Sequence, residues 1–235
     1  MRPSTGGFIL SLLALLVRWV LFPHPWPMSF AAPAEVDYDC WEKARVDPDI
    51  DQKDFAEVRT VFGYGSLIFR PGFPFKRKYP ASVRGFLRRF WQRSCDHRGT
   101  PEAPGRVLAL LRCSDVEGVE SDDVTGMAYE VEVEDWPAVL EALDIRERHG
   151  YTRTLTDLYS TTDGAPLGKA VVYCAHEPQQ SAAYTGPEAL EVTAQVIRTA
   201  AGPSGPNEEY LFSLLDAMES NALPQDPYLT SLSSA

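Results

Sequence analysis

Apolar residues in this chain follow three patterns in turn. The first is a run from Phe8 to Val17, interrupted by Arg18, resumed from Trp19 to Phe22 and closed by Pro23, Pro25 and Pro27, which break any helix. The run is too short to span a bilayer comfortably, which takes about 20 apolar residues. With Arg2 before it and Ala32-Pro33-Ala34 after it, it has the layout of a secretory signal. A membrane-facing anchor and a translation start at Met28 are the alternative readings. Residues 35–57 are acidic and polar and read as a lead-in.

The second pattern has a period of two. Val58 to Gly63 is β-branched and aromatic and predicts a strand that runs into a glycine turn. Val83 to Arg93 predicts a second strand, and Gly105 to Arg112 a buried third. Met127 to Val133 sets Tyr129, Val131 and Val133 against Glu130 and Glu132, as a half-buried strand does. Tyr151–Tyr159 and Lys169–Ala175 return to this pattern.

The third pattern is helical. Asp135 is placed to cap a helix whose face carries Trp136, Val139, Leu140 and Leu143. A second helix follows Gly186-Pro187 with Leu190, Ala194 and Ile197, and Gly202 stops it. A third starts at Asn207, a good cap, with Leu211, Leu214, Leu215 and Met218. Gly202-Pro203-Ser204-Gly205-Pro206 joins these two as a rigid turn. Strands first and helices afterwards, with one helix between, predict an α+β fold with a mixed or antiparallel sheet that can close as a barrel.

The chain has 235 residues, 44% hydrophobic, enough for one good core with an N-terminal appendage left over. Its net charge of −11 argues against a general nucleic-acid binder. The charge is uneven. Residues 70–112 hold eleven Lys and Arg against Asp96 and Glu102, whereas residues 113–147 hold twelve acids and one base, Arg146. Solvated faces account for most of these residues, and a few arginines are candidates to line an anion pocket. Cys40, Cys95, Cys113 and Cys174 are widely spaced and only Cys95 and His97 approach metal-ligand spacing, so neither a zinc site nor a disulfide framework is supported. Reduced thiols are expected.

Three stretches bear chemistry. Gly63-Tyr64-Gly65-Ser66-Leu67 can bring backbone N–H groups close to a ligand, although a lone GxG is more often an ordinary strand-ending turn. Arg88 to Arg106 interleaves arginines with Phe90 and Trp91, read as core or cleft wall, and with Asp96, His97 and Arg98, read as a loop-shaping network. Glu147 stands where the first helix ends and a strand begins. Turned inward and desolvated, it would titrate toward neutrality as a proton carrier, and turned outward it would pair with Arg146 or Arg148.

Val61-Phe62-Gly63-Tyr64-Gly65-Ser66-Leu67-Ile68, Arg88-Arg89-Phe90-Trp91-Gln92, Asp96-His97-Arg98-Gly99-Thr100-Pro101, Pro104-Gly105-Arg106-Val107, Leu143-Asp144-Ile145-Arg146-Glu147 with Gly150-Tyr151, and Ala201-Gly202-Pro203-Ser204-Gly205 with Asn207 and Glu209-Tyr210-Leu211 resemble the ChaC-type glutathione-specific γ-glutamylcyclotransferases. The resemblance runs from about Val58 to the mid-220s, and it divides the chain into an N-terminal extension (1–57), a catalytic domain (58–226) and a C-terminal tail (227–235). It implies a small β-barrel flanked by helices and a carbon–nitrogen lyase that cleaves glutathione to 5-oxoproline and cysteinylglycine without metal or cofactor. It puts the catalytic glutamate on Glu147, the substrate-binding loop on Tyr64, Gly65, Ser66 and Leu67, and a site tyrosine on Tyr210. His149, where the family often has Gly, and Cys95, where Thr is usual, are departures. A monomer acting on a small molecule in the cytoplasm is expected, with targeting or membrane contact through the apolar start as the alternative. The rival functions are a cyclotransferase for other γ-glutamyl amines and a non-catalytic membrane-surface or anion-binding protein.

Overall fold

The computed structural model describes residues 44–119, 123–148, 150–175 and 177–235. The apolar start, Cys40 and His149 lie outside these residues. The strands are β1 (Arg45–Val46), β2 (Thr60–Gly63), β3 (Arg77–Arg84), β4 (Phe86–Ser94), β5 (Gly105–Arg112), β6 (Asp123–Glu130), β7 (Tyr151–Tyr159) and β8 (Pro166–Ala175), with a short β9 (Ala201–Gly202) and β10 (Gly205–Pro206) ribbon apart from them. The helices are α1 (Gln52–Glu57), α2 (Trp136–Arg146), α3 (Leu190–Thr199), α4 (Asn207–Ser220) and α5 (Pro227–Ser234).

Five strands, in the order β7-β3-β6-β2-β8, close on themselves because β8 also pairs with β7 from Tyr151↔Ala175 to Tyr159↔Pro166. The result is the mixed α+β barrel expected from the sequence. β7 occupies one whole edge of β8. The other edge is shared: β2 pairs in parallel at Val61↔Val171, and four residues further on β5 takes over in parallel at Leu111↔Ala175. The chain leaving β2 at Gly63 therefore diverges from β8, and the next loop emerges where β2 and β5 part.

Burial explains which strands escaped simple alternation. In β2, Val61 packs with Trp136, Val139 and Leu143 of α2, while Phe62 packs on the other side with Phe90, Leu108, Leu211 and Leu214. A strand buried on both faces reads as a continuous apolar run, as Gly105 to Arg112 also does.

Several expectations change. Val83 to Arg93 is two strands, because Gly85 takes a φ of 77° and turns β3 into β4. Asp135 has helical backbone angles and makes no capping bond, so α2 starts without that cap; its four predicted core residues are all buried. Val133 lies beyond β6 and is 62% exposed. Asn207 does not cap α4 either. Its side chain accepts from Arg106 N at 2.6 Å and donates to Arg106 O at 2.8 Å, which clamps α4 to β5. The tail after residue 226 forms α5, capped by Asp226 Oδ1 and buried through Leu229 and Leu232. The lead-in is also built in from residue 44: β1 pairs with β7, and Asp47 is buried.

Candidate active site

The Tyr64–Leu67 loop leaves β2 at the gap beside β5. Ser66–Ile68 forms a 3₁₀ turn closed by Ile68 N–H on Gly65 O at 2.9 Å. Neither glycine of the loop has a positive φ; both are required by close approach. A Cβ on Gly63 would lie 2.6 Å from Leu67 Cβ, and one on Gly65 would lie 2.9 Å from the Tyr210 hydroxyl. The loop is pinned from outside as well. Tyr64 donates its hydroxyl to Tyr173 O at 2.8 Å, and Tyr129 donates to Leu67 O at 2.7 Å.

Glu147 is the residue on which α2 ends. Its N–H still donates to Leu143 O at 2.8 Å, but its backbone angles leave the helix (φ −92°, ψ 46°). Gly150, at φ 90°, then turns the chain into β7. The Glu147 side chain is 17% exposed and faces a cavity of ≈ 320 Å³. Burial raises its carboxyl above the ordinary value of 4.5, and the neighbouring Arg146 cation opposes that rise. Arg146 Nε lies 3.2 Å from Glu147 Oε1, while its other nitrogens donate to Ser66 Oγ at 3.0 Å and to Arg70 O and Pro71 O, both at 2.7 Å.

All six residues singled out from the sequence, Tyr64, Gly65, Ser66, Leu67, Glu147 and Tyr210, line this one cavity. Tyr210 comes from α4, and backbone hydrogen bonds with Ser66 and Leu108 hold its oxygen against the loop. Burial, together with the nearby Glu147 carboxylate, pushes the Tyr64, Tyr151 and Tyr210 hydroxyls upward, so all three stay protonated at neutral pH, and Tyr64 and Tyr151 donate to the backbone carbonyls of Tyr173 and Leu108.

The cavity wall is also basic. Arg70, Arg93, Arg98 and Arg148 line it, with Asp96, His97 and Ser204. Arg98 donates to Pro206 O at 2.9 Å and to Glu209 Oε2 at 3.1 Å, and His97 Nδ1 lies 3.3 Å from Ser204 Oγ. Two glycines make this junction possible: a Cβ on Gly202 would meet Gly99 N at 2.5 Å. The Asp96–Arg98 network thus shapes a loop, as expected, and also walls the cavity. Among the described residues no group of three or more His, Cys, Asp or Glu is placed to hold a metal ion. Sequence reasoning did not single out Tyr151, Tyr173 or Leu108 as cavity wall. Only its place four residues after Glu147, in the Gly150-Tyr151 pair that opens a strand, hinted at Tyr151.

A family model described as ChaC-like protein matches residues 59–235. The chain belongs to the ChaC-like family. Among curated relatives of this ChaC-like chain, the glutathione-specific γ-glutamylcyclotransferase of Saccharomyces cerevisiae is 34% identical over 215 residues, covering 73% of this chain and 93% of that one. The human glutathione-specific γ-glutamylcyclotransferase 1 is 40% identical over 162 residues, covering 68% and 69%. The Arabidopsis thaliana γ-glutamylcyclotransferase 2-3 is 38% identical over 162 residues, covering 67% and 78%. In three dimensions, the selenomethionine-labelled crystal structure of the yeast γ-glutamylcyclotransferase specific to glutathione superposes with a TM-score of 0.67 at 32% identity, over 74% of this chain and 93% of that one.

Proposed function

We propose that this ChaC-like protein is a glutathione-specific γ-glutamylcyclotransferase that degrades glutathione to 5-oxoproline and cysteinylglycine, with Glu147 as its general acid and base. The observation that carries this reading is the desolvated Glu147 carboxylate sharing one cavity with the Tyr64–Leu67 loop and Tyr210. The names of the relatives and the yeast structure agree with it.

The reaction is an internal aminolysis. The α-amine of the γ-glutamyl group attacks its own γ-carbonyl carbon, a C–N bond closes the five-membered ring, and the C–N bond to cysteine breaks. Glu147 takes a proton from the attacking nitrogen and returns it to the departing one, so no net proton or water is consumed. Such general acid–base help is typically worth about 10²–10⁴-fold. A carboxyl raised by burial suits both halves of the task, since it is a stronger base than an exposed glutamate and holds its proton more readily until the leaving nitrogen takes it. Backbone N–H groups of the Tyr64–Leu67 loop hold the substrate carboxylate or the developing oxyanion. Arginines of the cavity wall take the remaining anionic end of the tripeptide, and a cavity of ≈ 320 Å³ folds the γ-glutamyl arm toward its attack geometry.

We place the protein in the cytoplasm, where glutathione is abundant; Cys113 and Cys174 are free thiols. No helix among the described residues is long and apolar enough to cross a membrane. Purified full-length chain incubated with glutathione and, separately, with other γ-glutamyl amines tests the reading. Release of 5-oxoproline from glutathione in clear preference supports it. Equal turnover of the other amines assigns the broader rival specificity.

A further inference from the structure

Arg88 is a cation with a 1% exposed side chain, and it does not line the cavity. Its Nη1 donates to Tyr64 O at 2.9 Å and to Thr125 O at 3.0 Å. Its Nε and Nη2 donate to Asp226 Oδ2 at 3.0 and 2.7 Å. The other oxygen of the same carboxylate, Oδ1, caps α5 by accepting from Tyr228 N at 2.9 Å and Leu229 N at 3.1 Å. Tyr228 in turn accepts from Phe90 N at 3.1 Å, two residues along the strand from Arg88.

We propose that Arg88 is a positioning residue for the substrate loop: it grips the Tyr64 carbonyl and thereby aims the Gly65 N–H into the cavity, while Asp226 at the head of the C-terminal helix holds Arg88 in place. In a trans peptide the C=O and the following N–H point in opposite directions. A carbonyl held outward by a buried guanidinium therefore turns the Gly65 N–H toward the side where Tyr64, Gly65 and Ser66 face the cavity. The bond is charge-assisted, so it also polarises the peptide and makes the Gly65 N–H a stronger donor. Water could not hold the carbonyl so firmly, because the site is buried. The C-terminal helix, which contributes no residue to the cavity wall, becomes part of the machinery that orients it. The inference rests on the reading of Tyr64–Leu67 as the substrate loop.

The test compares full-length wild type with Arg88→Met, Arg88→Lys, Asp226→Asn and, as a control for stability alone, Asp47→Asn, which breaks a buried network of similar kind elsewhere. Kinetics with glutathione are paired with melting curves and with the amide resonance of Gly65, assigned by its loss in Gly65→Ala. Arg88→Met is expected to lower kcat/KM by about 10²-fold, the scale of losing one preorganised backbone donor, and to move the Gly65 amide proton upfield. Arg88→Lys, which keeps the charge, recovers part of both. Asp226→Asn keeps a competent cap and shifts both in the same direction less strongly. Asp47→Asn melts lower with kcat/KM and the Gly65 resonance unchanged. If Arg88→Met does not fold, Asp226→Asn decides. Wild-type kcat/KM with an unmoved Gly65 amide in the folded variants overturns the proposal. A folded wild type that releases no 5-oxoproline sinks the enzymatic reading instead, and the Gly65 amide then decides by itself whether Arg88 sets the loop.

Discussion

Arg146 donates to Ser66 Oγ across 3.0 Å, joining the end of the helix that carries Glu147 to the glycine loop that leaves β2. Eighty residues of sequence separate the two, and one guanidinium spans them while also facing Glu147. The same cation favours the ionised form of Glu147 against the effect of burial. Removing it therefore has a definite sign. Arg146→Met should move the acid limb of the kcat/KM profile to higher pH, because the Glu147 carboxyl rises further without its counter-charge. An unchanged or lower midpoint would mean that Glu147 is not the group that titrates.

Glu147 also links activity to stability. Its folded value lies above the unfolded one, so its contribution to stability is fully present below the ordinary 4.5 and is lost as pH rises through the folded value. Glu147→Gln removes that penalty. The variant should be inactive yet melt higher than wild type at pH 7.5, with the two melting temperatures converging below about pH 4.5. A lower melting temperature at neutral pH would show that the carboxylate is structural.

The contact between Gly65 and Tyr210 predicts intolerance to one added methyl group. Gly65→Ala places a Cβ 2.9 Å from the Tyr210 oxygen, and that hydroxyl is held by backbone bonds and cannot swing aside freely. Turnover should fall by at least about tenfold, as expected when a reacting group is displaced by a fraction of an ångström. Tyr210→Phe, which relieves the clash but removes the hydroxyl that accepts the Ser66 and Leu108 backbone bonds, should not restore it in the double variant. Steady-state kinetics of the two single variants and the double variant check this.

The segment ahead of the family match belongs to the folded unit. Burial works against the Asp47 charge, but bonds from Thr154 Oγ1 (2.6 Å), Asp49 N–H and Arg112 outweigh it and hold the carboxyl below its usual range. Deleting residues 1–58 removes Asp47 from Thr154 and Arg112 and should cost on the order of 1–3 kcal/mol for each buried polar group left unpaired. For Asp47→Asn the loss should be largest above the ordinary Asp value and shrink as pH falls through the depressed one. Urea melts at pH 7 and pH 3 measure both effects.

What the sequence disclosed, and what it hid, follows from the range of the interactions. Period and turn chemistry are local, so β5, α2 and the core positions Trp136, Val139, Leu140 and Leu143 were readable. The loop and Glu147 were readable as motifs. Their meeting followed only from the family resemblance and not from local pattern, because it depends on β2 and β5 sharing one edge of β8. The two false caps share a cause: Asp and Asn suit helix starts, but Asn207 finds stronger partners in the buried backbone of Arg106, and Asp135 has already entered helical geometry. Gly85 hid inside an apolar, basic run, so two strands looked like one. α5 was invisible as core because a segment of 8 residues offers too few turns to show a period, although Asp226-Pro227 is a helix start in its own right.

The central claim is that a buried carboxylate moves a proton between two nitrogens of one substrate, with no water in the balance. Full-length chain and Glu147→Gln, incubated with glutathione and followed by mass spectrometry for 5-oxoproline, cysteinylglycine and free glutamate, measure this directly. Equal amounts of 5-oxoproline and cysteinylglycine from wild type, no glutamate, and no turnover by a folded Glu147→Gln are the predicted result. Glutamate as the product, or a Glu147→Gln chain that keeps substantial turnover, would contradict it.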